Sequence, residues 1–188
     1  MNLTLKAHAL AGEFLRRTRA LFVLDATMGR GHDTLFFAKN LPSGGKVFSF
    51  DIQADALEST RTLLKSEKIS AEKYELFEAS HDLFVEKLGT DAKKLSCAMF
   101  NLGWLPKSDK KIVTQAQVTL NALEKLCEVF ENKKSASFLS ILSYRGHKGG
   151  LSEYVAISDF FSKLQAKKEI YSGMASGISP VLFTAEFR

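Results

Sequence analysis

Two glycines one residue apart, Gly29 and Gly31, lie in the stretch DATMGRGHDT at residues 25–34. Glycine at these places would let the backbone approach a ligand closely, because a side chain would obstruct it. Turns of this kind bind dinucleotides, nucleoside triphosphates or S-adenosylmethionine. No Gly-Lys-Ser or Gly-Lys-Thr follows the glycines, so the phosphate-binding loop of nucleoside triphosphatases is excluded.

Acidic residues near the glycines favour S-adenosylmethionine over a dinucleotide. Asp25 lies four residues before the pair, and Thr34 occupies the place of the third glycine of a dinucleotide-binding turn. A carboxylate there would attract the sulfonium and ammonium groups of S-adenosylmethionine and repel a pyrophosphate. The alternative is that Asp25 only caps the amides of the turn. Asp51 ends the next predicted strand, where it would accept hydrogen bonds from both ribose hydroxyls of an adenosine.

The fourth predicted strand is followed by Asn101-Leu-Gly-Trp104. Amino-group methyltransferases commonly carry Asn or Asp, two small or Pro residues and an aromatic at this place. The amide oxygen would accept a hydrogen bond from the target amine, and the aromatic would stack on the target base. Positioning supplies most of the rate in such a transfer, so no covalent nucleophile is needed. The alternative is an Asn in a turn beside a Trp of the core.

Two further strand ends carry polar residues. The loop YRGHKGG at 144–150 follows the fifth strand, and its basic side chains could bind a phosphate backbone. A flexible, solvated connector is the alternative. Ser80 and His81 follow the third strand, where this fold usually contacts the cofactor, although they could also cap a helix that begins near Asp82. The spacing of the histidines supports no metal site, and we predict none.

Hydrophobic spacing and Gly or Pro breakers predict that strands and helices alternate. Strands are predicted at 21–26, 46–51, 74–79, 95–100 and 135–142, with a closing pair at 168–174 and 180–188 joined by a turn at 175–179. Helices are predicted at 32–41, 53–67, 112–131 and 151–164. Strands separated by helices form a parallel sheet covered on both faces, whereas the closing pair must be antiparallel because its link is short. Ligands bind at the carboxyl ends of such strands.

The composition is that of an ordinary globular chain, with 188 residues, 45% apolar and 25% charged. We predict one α/β domain over residues 1–188. The net charge of +5 is a mild basic excess that is compatible with a nucleic-acid partner. No apolar run is long enough to span a membrane and no signal peptide is present, so we expect a cytoplasmic protein. Cys97 and Cys127 lie in apolar segments, which predicts buried thiols.

The motifs DATMGRGHDTLFFA, FSFDIQ, ASHD, MFNLGWLP, TLNAL and YRGHKGG occur in this order. Together they resemble the small bacterial family labelled "putative rRNA methylase". That family includes tRNA methyltransferases that convert 5-aminomethyl-2-thiouridine at the wobble position to its methylaminomethyl form with S-adenosylmethionine. The resemblance covers nearly the whole chain and implies a Rossmann-like class I methyltransferase fold.

The resemblance also implies roles for individual residues. Asn101 would face the aminomethyl group, and Tyr144 and His147 would lie on the RNA side. With the residues singled out above, it implies a cofactor pocket formed at three strand ends by Asp25, Gly29, Gly31, Asp33, Asp51, Gln53, Ser80 and His81.

The chain departs from the family pattern at three places. Arg30 stands where the family usually has Asn, so one side-chain contact to the cofactor must change or be lost. Arg145 replaces a common Pro, an exchange that we expect to loosen its loop. The turn MASGISPVLF lacks the Asn-rich, double-Pro character common before the last strand.

The sequence therefore predicts an S-adenosylmethionine-dependent RNA N-methyltransferase. Its expected partner is the anticodon region of tRNA, and Tyr144 or His147 would accept the proton of the amine. The alternatives are a methyltransferase that acts on ribosomal RNA, a non-catalytic protein that binds the cofactor or RNA, and a nicotinamide-dependent oxidoreductase. Both a monomer and a homodimer are consistent with the sequence.

Overall fold

Strands and helices alternate in the structure. The computed structural model describes residues 2–103, 114–147, 149–173 and 179–188. The strands are β1 (Phe22–Asp25), β2 (Lys46–Asp51), β3 (Tyr74–Glu78), β4 (Leu95–Leu102), β5 (Ser137–Ser143), β6 (Lys167–Ser172) and β7 (Val181–Phe187). The α-helices are α1 (Leu3–Thr18), α2 (His32–Asn40), α3 (Ala54–Ser66), α4 (Phe84–Leu88), α5 (Ala116–Glu131) and α6 (Gly150–Lys163). Short 3-10 helices cover Ala71–Lys73, His81–Leu83 and Gly89–Lys94.

Some predicted features lie outside the described residues. They are the aromatic Trp104, the basic Lys148 and most of the turn at 175–179. Within the described ranges, no helix combines the length and the apolar character needed to cross a membrane.

The strands form a seven-stranded sheet in the order β3-β2-β1-β4-β5-β7-β6. Strands β1 to β5 pair in parallel, and β7 pairs antiparallel with both β5 and β6. The predicted sheet, with its antiparallel closing pair, is confirmed. Because β1 to β5 run in the same direction, their carboxyl ends lie at one edge. The strand order reverses beside β1, where sheets of this class bind ligands.

Both faces of the sheet are covered, since alternate residues of a strand point to opposite sides. In β4, Ala98 and Phe100 belong to the apolar cluster that includes α5 and α6. Cys97 and Met99 belong to the cluster on the opposite face, with α1 and α2. The core therefore consists of two apolar layers separated by the sheet.

Both cysteines are free and buried, as predicted. Burial raises the pKa of the Cys97 thiol strongly and that of Cys127 to about 12. The two side chains are therefore packing residues with little thiolate character.

The N-terminal helix α1 is an element that we did not predict. Leu3, Ala7 and Phe14 are buried and follow the spacing of one helix face. The side chain of Asn2 caps the first turn by accepting a hydrogen bond from the Leu5 amide at 3.2 Å. Because this spacing and cap are visible in the sequence, the helix was predictable.

Helix α5 begins later than predicted, at Ala116 rather than at residue 112. Thr114 precedes it and donates its amide hydrogen to the carbonyl of Gly103 at 3.1 Å. This bond returns the chain to the end of β4 before the helix starts. The apolar pattern of the sequence could not reveal it.

Two glycines with similar backbones offer a matched test of the turn before α2. Gly31 has a φ of +81° and Gly44 a φ of +78°. A Cβ at Gly31 would lie 2.7 Å from the Thr60 side chain, whereas a Cβ at Gly44 would meet nothing within 4 Å. Gly44→Ala should lower the free energy of unfolding by about 1–2 kcal/mol through backbone strain. Gly31→Ala should cost about 1–3 kcal/mol more, because Thr60 must move.

Urea unfolding of the two variants beside the wild type measures the difference. Equal losses for both variants would contradict the close packing of Thr60 on the turn.

Candidate cofactor and acceptor site

Backbone hydrogen bonds hold the turn between β1 and α2 at the edge of the sheet. The Met28 amide donates to the Phe50 carbonyl at 2.9 Å, and the Gly31 amide donates to the Met28 carbonyl at 2.8 Å. Gly29 and Gly31 both have positive φ, +53° and +81°. At Gly31 the space of a side chain is filled by Thr60 of α3. The packing of Thr60 therefore gives a reason for glycine at position 31. It is separate from the reason that we predicted, the close approach of a ligand.

Asp51 joins this turn to the start of α3. Its Oδ2 accepts from the Gly29 amide at 3.0 Å, and its Oδ1 accepts from the Gln53 amide at 3.0 Å. Burial raises the pKa of this half-buried carboxyl, while hydrogen bonds from Gln53, Gly29 and Ile52 oppose the rise. Each carboxylate oxygen has a second lone pair. Hydrogen bonds from the ribose hydroxyls of a cofactor to Asp51 stay a prediction.

Asp25 lies beneath the turn and is fully buried. Its Oδ2 accepts from the Thr34 hydroxyl at 2.6 Å, and its Oδ1 accepts from the Thr27 amide at 3.3 Å. Burial and, after it, the negative charge of Asp33 raise the pKa of Asp25 to about 8. The carboxyl thus caps the turn, and a cationic ligand beside it would favour its ionised form.

Asp33, in the first turn of α2, is held by a residue of the unpredicted helix α1. Nε2 of His8 lies 2.6 Å from Oδ1 of Asp33, and the aspartate is only 5% exposed. Because a carboxylate only accepts, Nε2 is the donor. The His8 ring stacks on Phe36, with the ring centres 4.2 Å apart. Helix α1 therefore contributes directly to the predicted cofactor turn.

Ser80 and His81 follow β3. Ser80 precedes the 3-10 helix, and its hydroxyl forms no capping hydrogen bond within the described residues. His81 is 8% exposed, and its ring lies edge-on to Phe100 with centroids 5.6 Å apart. Burial lowers the pKa of His81 to about 4, so the ring is neutral at neutral pH. Its Nε2 is buried without a hydrogen-bond partner in the described part of the chain, an arrangement that a polar ligand group would relieve.

Asn101 is the penultimate residue of β4, next to the glycine turn, whereas we predicted that it follows the strand. Its backbone amide donates to the Thr27 hydroxyl at 2.6 Å. Tyr144 lies near the same strand end. A Cβ at Gly103 would lie 3.7 Å from its ring. The structure therefore brings two predicted acceptor residues, Asn101 and Tyr144, to neighbouring positions beside the cofactor turn.

The loop at 144–150 folds back on the start of α6. The Gly150 amide donates to the His147 carbonyl at 3.0 Å. A Cβ at Gly150 would lie 2.5 Å from the Tyr144 carbonyl oxygen and 2.9 Å from Nε2 of His147. This glycine is therefore required by the path of the loop.

Arg145 ties the loop to the end of the sheet. Its Nε donates to the Ser179 carbonyl at 2.9 Å, and its guanidinium lies 5.0 Å from the Tyr154 ring centre. These contacts restrain the loop through the side chain of Arg145, whereas a proline would restrain it through the backbone. They run against our expectation that Arg145 loosens the loop.

The predicted site residues therefore fall into two groups that meet at Thr27. Sequence reasoning missed the side chains that connect them. Thr27 and Thr34 lie within the glycine stretch itself, so their hydroxyls were the available signal. The contact of His8 would have needed the tertiary structure. Among the described residues, no three His, Cys, Asp or Glu side chains are grouped so that they could hold a metal ion.

Comparison with known proteins identifies the family. The family model described as "Putative rRNA methylase" matches residues 47–176, more than half of the chain. The chain belongs to this family. A "putative methyltransferase" from Streptococcus mutans, solved in complex with SAH, is 30% identical to this member, with a TM-score of 0.78 and coverage of 95% of this chain and 96% of that one.

Two further comparisons concern the fold and a longer relative. A "putative rRNA-methylase" structure from Clostridium thermocellum has a TM-score of 0.83 at 23% identity, covers 96% of this chain and 97% of its own, and shows likeness of fold. The chloroplastic tRNA (mnm(5)s(2)U34)-methyltransferase of Arabidopsis thaliana is 38% identical over 149 residues, 76% of this chain. This chain spans about half, 53%, of the length of that relative. The predicted family and class I methyltransferase fold are confirmed.

The buried carboxyl of Asp25 predicts a pH-dependent stability. Its pKa rises from an ordinary 3.8 to about 8 on folding, so its contribution to stability is complete below 3.8 and is lost as the pH rises through 8. Relative to Asp25→Asn, the wild type should lose up to about 1.4 kcal/mol per pH unit between these values.

Urea unfolding at several pH values tests this expectation, since the comparison across pH cancels any constant effect of the substitution. A difference between wild type and Asp25→Asn that stays constant from acid to alkaline pH would contradict it.

The contact between His8 and Asp33 predicts a role for α1 in cofactor binding. His8→Ala should weaken S-adenosylmethionine binding about tenfold, which corresponds to about 1.4 kcal/mol, because Asp33 loses its donor. His8→Gln should keep most of the affinity, since its amide can donate in the same direction. Calorimetry with the cofactor decides, and equal affinities of His8→Ala and the wild type would refute the role.

Proposed function

We propose that this protein transfers a methyl group from S-adenosylmethionine to the amine of 5-aminomethyl-2-thiouridine at the wobble position of cytoplasmic tRNA. The observation that carries the proposal is the hydrogen bond from the backbone amide of Asn101 to the Thr27 hydroxyl at 2.6 Å. It joins the turn suited to the cofactor to the strand end suited to the amine. Productive transfer requires that donor and acceptor be held at such a fixed separation.

The residues on the cofactor side fit S-adenosylmethionine. Gly29 and the Asp51 carboxylate are linked at 3.0 Å where the adenosine would lie, and the neutral His81 offers a buried nitrogen to the same pocket. Asp33 would place negative potential near the expected ammonium and sulfonium, and a bound cation would favour ionisation of the neighbouring Asp25. When bound, the cofactor supplies the methyl group. The SAH complex of the Streptococcus mutans relative supports this assignment.

On the acceptor side, Asn101 would accept a hydrogen bond from the amine and aim its lone pair. The new bond joins the amine nitrogen to the methyl carbon while the bond from that carbon to sulfur breaks, and the amine gives up one proton. Tyr144 and His147 are the proposed acceptors of that proton. The position of the Tyr144 ring, 3.7 Å from where a Cβ of residue 103 would lie, supports this assignment.

The substrate assignment is supported by the relative from Arabidopsis thaliana, a tRNA (mnm(5)s(2)U34)-methyltransferase by name. The excess of basic residues, net +5, suits an RNA partner. The description of the family names rRNA instead, so ribosomal RNA is the second candidate substrate. Both candidates use the same chemistry and differ only in the RNA that the loops around the acceptor turn accommodate.

The test supplies purified protein and S-adenosylmethionine with two RNAs: tRNA that bears 5-aminomethyl-2-thiouridine, and ribosomal RNA from cells that lack the protein. Mass spectrometry of the nucleosides should show gain of one methyl group on the tRNA nucleoside alone. Methylation of the ribosomal RNA alone would establish the second candidate. No methylation of either RNA would refute the proposal.

Asn101→Ala tests whether the acceptor turn is used for catalysis. Turnover should fall about 100-fold or more, as expected when an acceptor is misplaced, while cofactor affinity stays within about twofold. Asn132→Ala, at the exposed end of α5, is the matched control and should behave as the wild type. Unchanged turnover in Asn101→Ala would indicate that the amine binds elsewhere.

A further inference from the structure

Glu153 is a buried carboxylate that the proposed reaction does not use. It lies in the first turn of α6 and is 1% exposed. Its Oε2 accepts from the Thr114 hydroxyl at 2.8 Å, and its Oε1 accepts from the Thr119 hydroxyl at 3.0 Å. Burial of a carboxylate is costly unless it is hydrogen-bonded. The two hydroxyls therefore hold the side chain in one orientation between α5 and α6.

Thr114 connects this carboxylate to the acceptor turn. Its amide donates to the Gly103 carbonyl at 3.1 Å, so the chain that leaves the turn at Gly103 is brought back to it at Thr114. The bond from the Thr114 hydroxyl then fixes this point to Glu153. Two hydrogen bonds of Thr114 therefore link the carboxylate of Glu153 to Gly103, the residue that follows β4.

Glu153 also acts on the loop that carries His147. Burial raises the pKa of Glu153, and its hydrogen bonds to Thr114 and Thr119 and the electrostatic interaction with His147 oppose the rise. The Glu153 amide donates to the Gly149 carbonyl at 3.0 Å, which starts the helix directly after the loop. Glu153 thus contacts Thr114 through its carboxylate and the end of the loop at Gly149 through its backbone amide.

We propose that Glu153 is a positioning residue for the methyl acceptor. Through Thr114 its carboxylate holds the chain at Gly103, two residues after Asn101. The inference rests on the proposed function. It predicts that loss of the carboxylate affects catalysis on RNA and spares cofactor binding, because the cofactor turn is built on β1 and β2.

The test compares Glu153→Gln and Thr114→Val with the wild type and with Glu128→Gln, an exposed carboxylate of α5 that serves as the matched control. The substrate is tRNA that bears 5-aminomethyl-2-thiouridine, and the measurements are kcat, KM for tRNA and Kd for S-adenosylmethionine. Both variants should lower kcat about 10- to 100-fold, the size expected for a misplaced acceptor. The Kd for S-adenosylmethionine should stay within about twofold, and Glu128→Gln should match the wild type.

The double variant separates positioning through Thr114 from a general loss of stability. Its kcat should be no lower than that of Glu153→Gln alone, because both changes remove one connection. If Glu153→Gln fails to fold, Thr114→Val decides, since it keeps the carboxylate and its bond to Thr119. A folded Thr114→Val with wild-type kcat, or a cofactor Kd that rises in step with the loss of kcat, would overturn the inference. Inactivity of the wild type on this tRNA would instead refute the proposed function.

Discussion

The buried hydrogen bond of 2.6 Å from the Thr34 hydroxyl to the Asp25 carboxyl ties helix α2 to the end of β1. The same hydroxyl lies 2.9 Å from that of Ser49 in β2. The other oxygen of Asp25 accepts from the backbone amide of Thr27. The Thr27 hydroxyl in turn accepts from the backbone amide of Asn101 in β4. One carboxyl therefore connects three adjacent strands at the binding edge. In a buried network of this kind each member depends on the others for its hydrogen bonds.

The two halves of the site are held in different ways. On the cofactor side, Asp51 accepts from two backbone amides and joins the glycine turn to the start of α3, while side-chain bonds of Asp25 with Thr34 and of Asp33 with His8 hold α2. The acceptor side rests on side-chain contacts between segments, of Arg145 with Ser179 and of Thr114 with Glu153. Side-chain contacts change with single substitutions, so both halves of the site depend on the identity of these residues, as expected when function lies in the site and not in the fold.

Buried carboxyl groups lie on both sides of the site. Asp25 and Asp33 lie almost fully buried beneath the cofactor turn, and their proximity contributes to the high pKa of Asp25. A cationic ligand beside the two carboxyl groups would offset this repulsion, so this edge of the sheet is suited to bind positive charge. The acceptor side has one buried carboxylate, Glu153, and its hydroxyl partners hold it in place. Burial raises the pKa of Asp25 and of Glu153, a perturbation that is typical of functional sites.

The sequence by itself determined the alternation of strands and helices, the edge of the sheet that carries the glycine turn and the position of Asp51, because hydrophobic spacing and strand-end residues are local features. Helix α1 was equally accessible, since Asn2 and its apolar spacing are in the sequence. Only the tertiary structure decided which distant residues meet. His8 and Asp33 are 25 residues apart, and Thr114 and Glu153 are 39 apart. Such pairs depend on the order of strands and the packing of helices on them, and no local pattern carries that information.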